Sequence, residues 1–483
     1  MRANISESYR EFPEITFTEF QTIPYLQDRK EIAKRNKILR TDAYNRTMDY
    51  IKGERGDKQE TFFLSLRKSP NSKFNVIYGV KNIVDEVLRM PITQRELDFA
   101  KDFYEHQNKK GANGKFNPDR WQRVIDKNNG MIPIKVFGVE DGTVLKPGEP
   151  ALRVEGEAEL AAIFEPIFLR LFYQSVVATN ARIIEEIIGE GRIVEFGYRA
   201  SVNDDMHMNA MEALVVGGVN KTSSDVSACA LDIFADGTTA HRFFTAYPSE
   251  DEAMQKAIEK NDKIALLVDS VEAYAGIDKI IALKKKYPGK IIAPRLDSGD
   301  LAEQAIYALQ EMKKAGMTSP FTNKIVVADI STVDDIIEIE TKIAEAGFNP
   351  KDYIIYGLGG LLIAREKTRD VVSAGYKLSN TQDGATMKFS NDAGKRSIPG
   401  RPNVEIRNGM RYIVQEDERR VGVRLLKPLY DNGEFFYDRP KVNDMLEARQ
   451  RMIESRHWAE YESRFSDKTI EMIEKFKKKV GVV

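Results

Sequence analysis

Charged residues of the types used in catalysis follow an apolar segment in the second half of the chain. Residues 290–293 predict a buried strand, and Arg295, Asp297 and Asp300 come directly after it. Charges at the end of a buried strand are costly to place unless they bind something. Asp297 is therefore a candidate for binding a sugar hydroxyl or Mg²⁺, whereas Asp300 is interpreted as the N-cap of a helix over residues 301–314.

A histidine is the second candidate for chemistry. His241 is one of four histidines and lies within residues 236–243, which predict a strand end. A neutral imidazole serves as a base or a nucleophile, although a lone histidine is more often a hydrogen-bonded structural residue. The other three have no partners at metal-ligand spacing and are interpreted as structural or surface residues: His106, His207 and His457.

A glycine-rich turn together with several cations predicts a phosphate site. Gly359 and Gly360 follow a strand-like segment, where glycines let backbone N–H groups approach an anion closely. The turn alone is equally typical of a tight connection between two elements. Four basic residues farther along the chain favour phosphate binding, namely Arg369, Lys377, Lys395 and Arg396.

An aromatic residue beside a cation marks another predicted strand end. Phe196 and Tyr198 flank Gly197, and Arg199 follows. This combination suits a planar, anionic ring, whereas composition alone favours Phe196 as a core residue.

These residues need a common scaffold, which the middle of the chain predicts. Strand-like segments alternate there with amphipathic helix patterns, and such alternation indicates parallel strand pairing. Polar clusters follow most of the strands, including one that begins at Asp329, and in a barrel they would meet at one rim. The predicted strands are residues 193–196, 264–268, 290–293, 324–328 and 353–356, and the predicted helices are residues 271–286, 301–314 and 333–346.

The fold class expected from this pattern is α/β, with a TIM-like barrel and a second α+β domain built from the two flanks. Residues 181–400 are assigned to the barrel. Residues 1–180 form the N-terminal part of the flanking domain, and residues 401–483 form its C-terminal part plus a helical tail.

The composition excludes several classes of protein. The chain has 483 residues and a formal net charge of -1, which gives no electrostatic argument for binding nucleic acid or an acidic membrane surface. A single cysteine, Cys229, excludes an intrachain disulfide and a multi-cysteine zinc site. Neither a signal peptide nor an apolar run of membrane-spanning length is recognisable. We therefore expect a cytoplasmic protein with no nucleic-acid or membrane partner.

The order of these motifs resembles the nicotinate phosphoribosyltransferase family from about residue 41 to about residue 400. Each motif alone is modestly specific, but six in the same order are strongly so. The segments that carry the resemblance are residues 41–44, 146–156, 195–199, 217–224, 237–241 and 294–301.

The resemblance implies an irregular α/β barrel and a head-to-tail homodimer with sites shared between subunits. It also implies a reaction in which nicotinate and phosphoribosyl pyrophosphate give nicotinate mononucleotide and pyrophosphate. Mg²⁺ would be bound mainly through the substrate phosphates. ATP would be a co-substrate that phosphorylates His241.

The resemblance also assigns roles to individual residues. Phe196 would stack on the pyridine ring, and Tyr44 would cover its other face from the partner subunit. Ala200 replaces a second arginine that is common after Arg199 in the family. The other assignments are Arg199 to the ring substituent or product phosphate, Arg295 to ribose or phosphates, Asp297 to the ribose hydroxyls, and Gly359 and Gly360 to the 5′-phosphate. The remaining substrate-binding candidates are Ser223, Asp329, Arg369, Lys377, Lys395 and Arg396.

The identity of the base depends on one position. Nicotinamide-using relatives carry an aspartate right after the threonine that matches Thr222, where this chain has Ser223. A hydroxyl donates to a carboxylate that an aspartate would repel, so we expect nicotinate. Nicotinamide is the alternative, because Asp225 lies two residues on and because residues 357–362 and 395–400 resemble the nicotinamide enzymes.

Two other classes of function stay open. A different phosphate-binding barrel enzyme, such as an aldolase or isomerase, would need a Schiff-base lysine or a paired base at a strand end, and none stands out. A non-catalytic nucleotide-binding relative is disfavoured, because His241, Arg295 and Asp297 are all intact.

Overall fold

The computed structural model of the chain describes residues 12–69, 71–390 and 393–481. The chain divides into two compact units. The first unit runs up to Ser175 and resumes at Thr368, and the second is Val176–Lys367. The helix Leu171–Ile188 contains the first boundary.

The second unit is built on a curled, parallel sheet. Its strands are β6 (Ile193–Glu195), β7 (Lys221–Thr222), β8 (Phe234–Ala235), β9 (Lys263–Leu267), β10 (Ile291–Leu296), β11 (Ile325–Val327) and β12 (Ile354–Leu358). They pair in the order β8-β7-β6-β12-β11-β10-β9, and each ladder is parallel. The carboxyl ends of these strands therefore meet at one edge, which we call the carboxyl edge.

Helices connect these strands, as the alternating pattern predicts. They are α10 (Asp204–Gly217), α11 (Asp225–Leu231), α12 (His241–Phe244), α13 (Glu250–Lys260), α14 (Ala273–Lys286), α15 (Leu301–Lys314), α16 (Val333–Glu345), α17 (Pro350–Tyr353) and α18 (Gly360–Ile363). The Asp300 side chain accepts a hydrogen bond from Glu303 N at 3.0 Å. Asp300 is therefore the N-cap of α15, as predicted.

The strand that leads to the charged run is longer than its predicted extent. β10 continues through Arg295 to Leu296, because both residues pair with β11 and stay buried. Arg295 is thus a strand residue, and Asp297 is the first residue after the strand.

A loop residue lies between the two edge strands of this sheet. Thr239, which follows β8, donates from its backbone N–H and from its hydroxyl to Ala265 O on β9, at 3.4 and 3.1 Å. Thr239 therefore fixes the segment that precedes His241 against the other edge of the sheet.

The first unit contains antiparallel sheets and helices. Before the second unit its strands are β1 (Gln59–Ser65), β2 (Asn75–Val76), β3 (Ile134–Gly138), β4 (Val144–Leu145) and β5 (Pro150–Glu157), and its helices are α1 (Phe17–Thr22), α2 (Leu26–Arg35), α3 (Ala43–Lys52), α4 (Val80–Leu88), α5 (Gln94–Lys109), α6 (Pro118–Asn128), α7 (Ala158–Ala162) and α8 (Glu165–Phe168), followed by α9 (Leu171–Ile188). After the second unit come β13 (Gly375–Thr381), β14 (Gly384–Ala385), β15 (Pro402–Arg407), β16 (Met410–Gln415), β17 (Val423–Arg424), β18 (Lys427–Asp431), β19 (Glu434–Phe435), α19 (Asp444–Ser455), β20 (Ser463–Phe465) and α20 (Asp467–Lys479).

Pairing between distant segments sets the boundary of the first unit. One sheet has the order β14-β13-β1-β5-β3-β18-β19, and a second has the order β17-β15-β16-β20. β13 pairs along the length of β1, with Lys377 opposite Phe63. The described part of residues 368–400 therefore belongs to the first unit, whereas the sequence assigns it to the barrel.

The mixed α/β class with a curled parallel sheet agrees with the sequence analysis, while the separate flanking domain stays a prediction. Within the described residues, no single helix has the length and apolar character needed to cross a membrane. One bent pair, Ala158–Phe168 with Leu171–Ile188, meets those criteria together by length and composition only.

Candidate functional site

Arg295 is the centre of the contacts at the carboxyl edge. One guanidinium nitrogen donates to Thr238 Oγ1 at 2.5 Å and to Thr239 O at 3.1 Å, and the other donates to Asp297 Oδ1 at 2.7 Å. The guanidinium carbon lies 5.5 Å from the ring centroid of Phe196. A single buried arginine therefore joins the end of β10 to the end of β6 and to the loop before His241.

His241 is half exposed at this edge. It is the first residue of the short helix α12 and does not end a strand as predicted. Its Nε2 lies 3.3 Å from Asp269 Oδ1, and Asp269 Oδ2 accepts a hydrogen bond from Ser298 Oγ at 2.6 Å. The carboxylate therefore lies beside the imidazole without accepting a hydrogen bond from it, and the rest of the ring stays accessible.

Asp269 is a site residue that the sequence analysis does not single out. It lies within the polar cluster after the strand predicted over residues 264–268, and this position was the available signal. The pairing with His241 is not visible in the sequence, because 27 residues separate two segments that only the curled sheet brings together.

Unpaired polar atoms mark the same edge. Buried polar groups are almost always hydrogen-bonded, so an unsatisfied one calls for an explanation. Within the described part of the chain, four buried atoms near these strand ends have no hydrogen-bond partner: Ser201 Oγ, Asp269 Oδ1, Ser270 Oγ and Arg295 Nε. Such atoms also occur in the first unit, for example Arg153 Nη2.

The aromatic ring of Phe196, directly after β6, packs against Gly357 on the neighbouring strand. Phe196 is half-buried, and a Cβ at Gly357 would lie 2.3 Å from Phe196 Cε2. Only glycine leaves space for the ring at that position on the neighbouring strand β12. Tyr198 and Arg199 follow on an exposed turn, so the ring and the cation are both at the carboxyl edge.

Ser223 lies beside this aromatic residue. Its backbone N–H donates to Glu195 O at 2.9 Å, directly before Phe196, and its side chain is exposed. Asp225 is in the first turn of α11, which is capped by Ser224. The hydroxyl of Ser223 is therefore the side chain next to the strand end, and the Asp225 carboxylate begins the following helix.

Asp329 and the glycine pair lie after β11 and β12. Asp329 is exposed and has a φ of 57°. This left-handed conformation is uncommon for a non-glycine residue and occurs often at functional sites. A Cβ at Gly359 would lie 3.1 Å from Phe196 O, and Gly360 begins α18.

The remaining predicted site residues lie in the first unit. The Tyr44 hydroxyl donates to Glu165 Oε2 at 2.6 Å, and burial together with this carboxylate raises the pKa of Tyr44. Burial lowers the pKa of Lys377; Glu165 opposes that shift, whereas nearby Arg67, Lys388 and Arg369 add to it. These residues form a concentration of positive charge on β13 and its neighbours.

The basic segment near residue 395 is also in the first unit. Lys395 ends a short 3₁₀-helix, Ala393–Lys395, and is exposed. Arg396 Nε donates to Ser390 O at 3.0 Å, and its guanidinium lies 4.3 Å from the ring centroid of Phe389.

The predicted site residues thus form two sets. The carboxyl edge of the second unit carries Phe196, Arg199, Ser223, His241, Arg295, Asp297, Asp329, Gly359 and Gly360, whereas the first unit carries Tyr44, Arg369, Lys377, Lys395 and Arg396.

No group of three or more histidine, cysteine, aspartate or glutamate side chains among the described residues is arranged to hold a metal ion.

Comparison with known proteins gives a consistent set of relatives. No family model matches the chain. It is 27% identical over 422 residues to nicotinate phosphoribosyltransferase of Bacillus subtilis, covering 85% of this chain and 78% of the relative. The enzyme of the same name from Dictyostelium discoideum is 24% identical, with 85% and 81% covered. Nicotinamide phosphoribosyltransferase of Xanthomonas campestris is 23% identical, with 76% and 86% covered.

The fold comparison agrees with the sequence relatives. The crystal structure of human nicotinic acid phosphoribosyltransferase matches with a TM-score of 0.67 at 17% identity, covering 90% of this chain and 99% of that one. The chain is thus similar over most of its length to curated nicotinate phosphoribosyltransferases, at 24–27% identity, and it shares the fold of the human enzyme.

Proposed function

We propose that the protein is a nicotinate phosphoribosyltransferase that acts in NAD salvage. It would join nicotinate to phosphoribosyl pyrophosphate and release nicotinate mononucleotide and pyrophosphate. The observation that carries the proposal is the junction of Arg295, Asp297 and Phe196 at one edge of the sheet. A cation, a carboxylate and an aromatic ring there match the three parts of the two substrates: phosphate, ribose and pyridine.

The aromatic ring and the serine account for the base. Phe196 would stack on the pyridine, and the Ser223 hydroxyl would donate to the nicotinate carboxylate. Stacking aligns the ring nitrogen with the ribose C1 that it attacks, which is catalysis by positioning. The ring has a defined place because Gly357 leaves the space for it.

The charged residues account for the phosphoribosyl group. Breaking the bond from C1 to pyrophosphate develops positive charge on the ribose and negative charge on the leaving group. Arg295, whose Nε has no hydrogen-bond partner in the described structure, would bind a phosphate oxygen. Asp297 would accept from ribose hydroxyls, and Gly359, Gly360 and Asp329 would lie along the ribose phosphate.

Mg²⁺ fits the oxygen atoms available at this edge. The ion typically uses one or two carboxylates together with substrate phosphates and water. Asp297, the first residue after β10, would hold Mg²⁺ together with the pyrophosphate. The ion would neutralise charge on that leaving group.

ATP coupling is a further part of the proposal. The half-exposed imidazole of His241, beside Asp269, would attack the γ-phosphorus of ATP, and the bond to the bridging oxygen would break with release of ADP. Phosphohistidine would add negative charge and acceptor oxygens at the carboxyl edge. A homodimer, in which Tyr44 covers the base bound in the partner subunit, stays a prediction of the resemblance.

Nicotinamide phosphoribosyltransferase is the second candidate. It is favoured by the relative of that name from Xanthomonas campestris and by the resemblance of residues 357–362 to nicotinamide enzymes. Ser223 favours nicotinate.

The direct test is product formation by the full chain. With nicotinate, phosphoribosyl pyrophosphate and Mg²⁺, we expect nicotinate mononucleotide and pyrophosphate in equal amounts. Arg295→Lys should lose most of this activity, because lysine cannot form the paired contacts of a guanidinium. Absence of mononucleotide with the wild-type protein would refute the proposal.

A further inference from the structure

A buried polar network lies beneath the end of β6, outside the set of residues that would contact substrate. Its two central members are Glu195, the last residue of β6, and His207 on α10. Both side chains have 0% exposure, and Glu195 Oε2 lies 3.2 Å from His207 Nε2.

Glu195 contacts both segments that would flank the base. Its Oε1 accepts from the backbone N–H of Gly197, next to Phe196. Its Oε2 accepts from Thr222 Oγ1 at 2.7 Å, and its backbone oxygen accepts from Ser223 N at 2.9 Å. One buried residue therefore fixes the strand end that carries Phe196 and the segment that carries Ser223.

His207 connects this carboxylate to α11. Its Nδ1 lies 2.8 Å from Ser227 Oγ, and its ring makes a T-shaped contact with Tyr198, with the ring centroids 4.9 Å apart. A neutral imidazole protonated at Nε2 would donate to Glu195 and accept from Ser227. Thr222 Oγ1 in turn accepts from Ser224 N at 3.0 Å.

Such a network is costly to bury. A carboxylate removed from water is destabilising unless it is paired and hydrogen-bonded, and apolar residues would fill the same volume without that cost. The space around Glu195 is also fully used, since a Cβ at Gly197 would lie 2.7 Å from Glu195 Oε1. A buried charge confined to the junction of Phe196 and Ser223 points to a role in placing those two residues.

We propose that Glu195 and His207 are positioning residues for the pyridine base. They would set the separation between the aromatic ring of Phe196 and the hydroxyl of Ser223 without touching the base. This inference rests on the proposed function and extends it. It requires that damage to the pair weakens binding of the base selectively, because the hydrogen bonds of Arg295 do not involve Glu195 or His207.

The test compares two replacements of His207 by steady-state kinetics. His207→Leu removes the N–H that faces Glu195, and losing one partner of a buried hydrogen bond corresponds to about a tenfold effect or more. We expect the KM for nicotinate to rise about tenfold, with the KM for phosphoribosyl pyrophosphate unchanged. His207→Gln retains an N–H at a similar distance and should restore most of the affinity for nicotinate.

A matched control separates positioning from general destabilisation. Glu340→Gln also disturbs a buried ion pair, because Glu340 Oε1 accepts from Arg192 at 2.6 Å, at the amino end of β6. It should lower thermal stability without changing the KM for nicotinate. If His207→Leu does not fold, Glu195→Gln tests the same role. Glutamine has one acceptor oxygen where glutamate has two, so it cannot accept from Gly197, Thr222 and His207 together, and the KM for nicotinate should rise.

The outcomes distinguish the two proposals. An inactive wild-type protein that does not bind nicotinate would refute the proposed function. An active wild-type protein whose His207→Leu and Glu195→Gln variants keep the KM for nicotinate would refute the positioning role alone. A rise in the KM for both substrates would also refute it.

Discussion

His241 Nε2 lies 3.3 Å from Asp269 Oδ1, so a half-exposed imidazole has a nearly buried carboxylate on one side. The carboxylate is itself fixed by the hydroxyl of Ser298 at 2.6 Å. The three groups in contact are the His241 imidazole, the Asp269 carboxylate and the hydroxyl of Ser298, which lies in the segment after β10. Under the proposed function, the carboxylate would hold the ring in place when it accepts a phosphoryl group.

Asp269→Asn tests this role of the carboxylate. The amide keeps the size of the side chain but removes the charge that orients and stabilises the imidazole. We expect the stimulation of mononucleotide formation by ATP to fall about tenfold, because the nearby carboxylate would stabilise positive charge on the imidazole, and about 1.4 kcal/mol corresponds to a tenfold effect. Activity without ATP should change little, and initial rates with and without ATP measure both.

Asp300→Asn is the matched control for that variant. Asparagine is as good an N-cap as aspartate, so α15 and the ATP response should both be retained. An unchanged ATP response in Asp269→Asn would contradict the orienting role.

Gly357→Ala tests the space around the aromatic ring. The new Cβ would lie 2.3 Å from Phe196 Cε2, so the ring must move, and a displacement of about 1 Å costs on the order of 100-fold in a positioned reaction. We expect kcat/KM for nicotinate to fall by about that factor. Gly289→Ala is the control, since nothing lies within 4 Å of its Cβ, and an equal loss there would contradict the explanation.

Ser223→Asp tests the choice of base. A carboxylate at this position would repel the nicotinate carboxylate and accept from the amide of nicotinamide. The ratio of kcat/KM for nicotinate to that for nicotinamide should fall by at least about tenfold. Asp225→Asn should leave the ratio nearly unchanged. If the Asp225 variant shifts the ratio and Ser223→Asp does not, the assignment of the base contact is wrong.

Lys284 gives a prediction about stability and pH. It is buried and donates to two backbone oxygens, Ile292 O and Thr322 O, each at 2.7 Å, and burial lowers its pKa to about 8. Between pH 8 and the ordinary pKa of lysine the unfolded chain binds this proton more tightly than the folded chain. The folded state therefore gains stability as the pH rises through that window, by at most about 1.4 kcal/mol per pH unit.

The corresponding measurement is urea unfolding at pH 7.5, 9 and 10, values chosen to span roughly the window set by the shifted pKa. Lys284→Met should lose the gain between pH 8 and 10 that the wild-type protein shows. Lys285→Met alters an exposed neighbour and should keep the wild-type slope. If the free energy of unfolding depended on pH equally in the wild-type and Lys284→Met proteins, the prediction that burial destabilises the charged form of Lys284 would be wrong.

Local patterns predict much of the second unit. The periodicity of residues 301–314 gives the bounds of α15, and Asp300 is its N-cap. The strand before Arg295 is predicted too short, because arginine and proline are poor signals of a strand, yet pairing with β9 and β11 keeps them in the ladder.

Contacts between distant segments are what the sequence could not predict. β13 pairs with β1 more than 300 residues away, which moves Lys377 into the first unit. His207 has no signal of its own, because its partners Glu195 and Ser227 lie on other elements that meet only in the folded sheet. Asp269 was visible as part of a polar cluster, but its pairing with His241 depends on the curvature of the sheet.

Product formation with each base supplied separately tests the central claim most directly. The full chain would be incubated with phosphoribosyl pyrophosphate, Mg²⁺ and either nicotinate or nicotinamide, with and without ATP, and both mononucleotides would be measured by chromatography. We predict nicotinate mononucleotide, increased by ATP, and little product from nicotinamide. The account would be contradicted if product formed only with nicotinamide, or if neither base gave product.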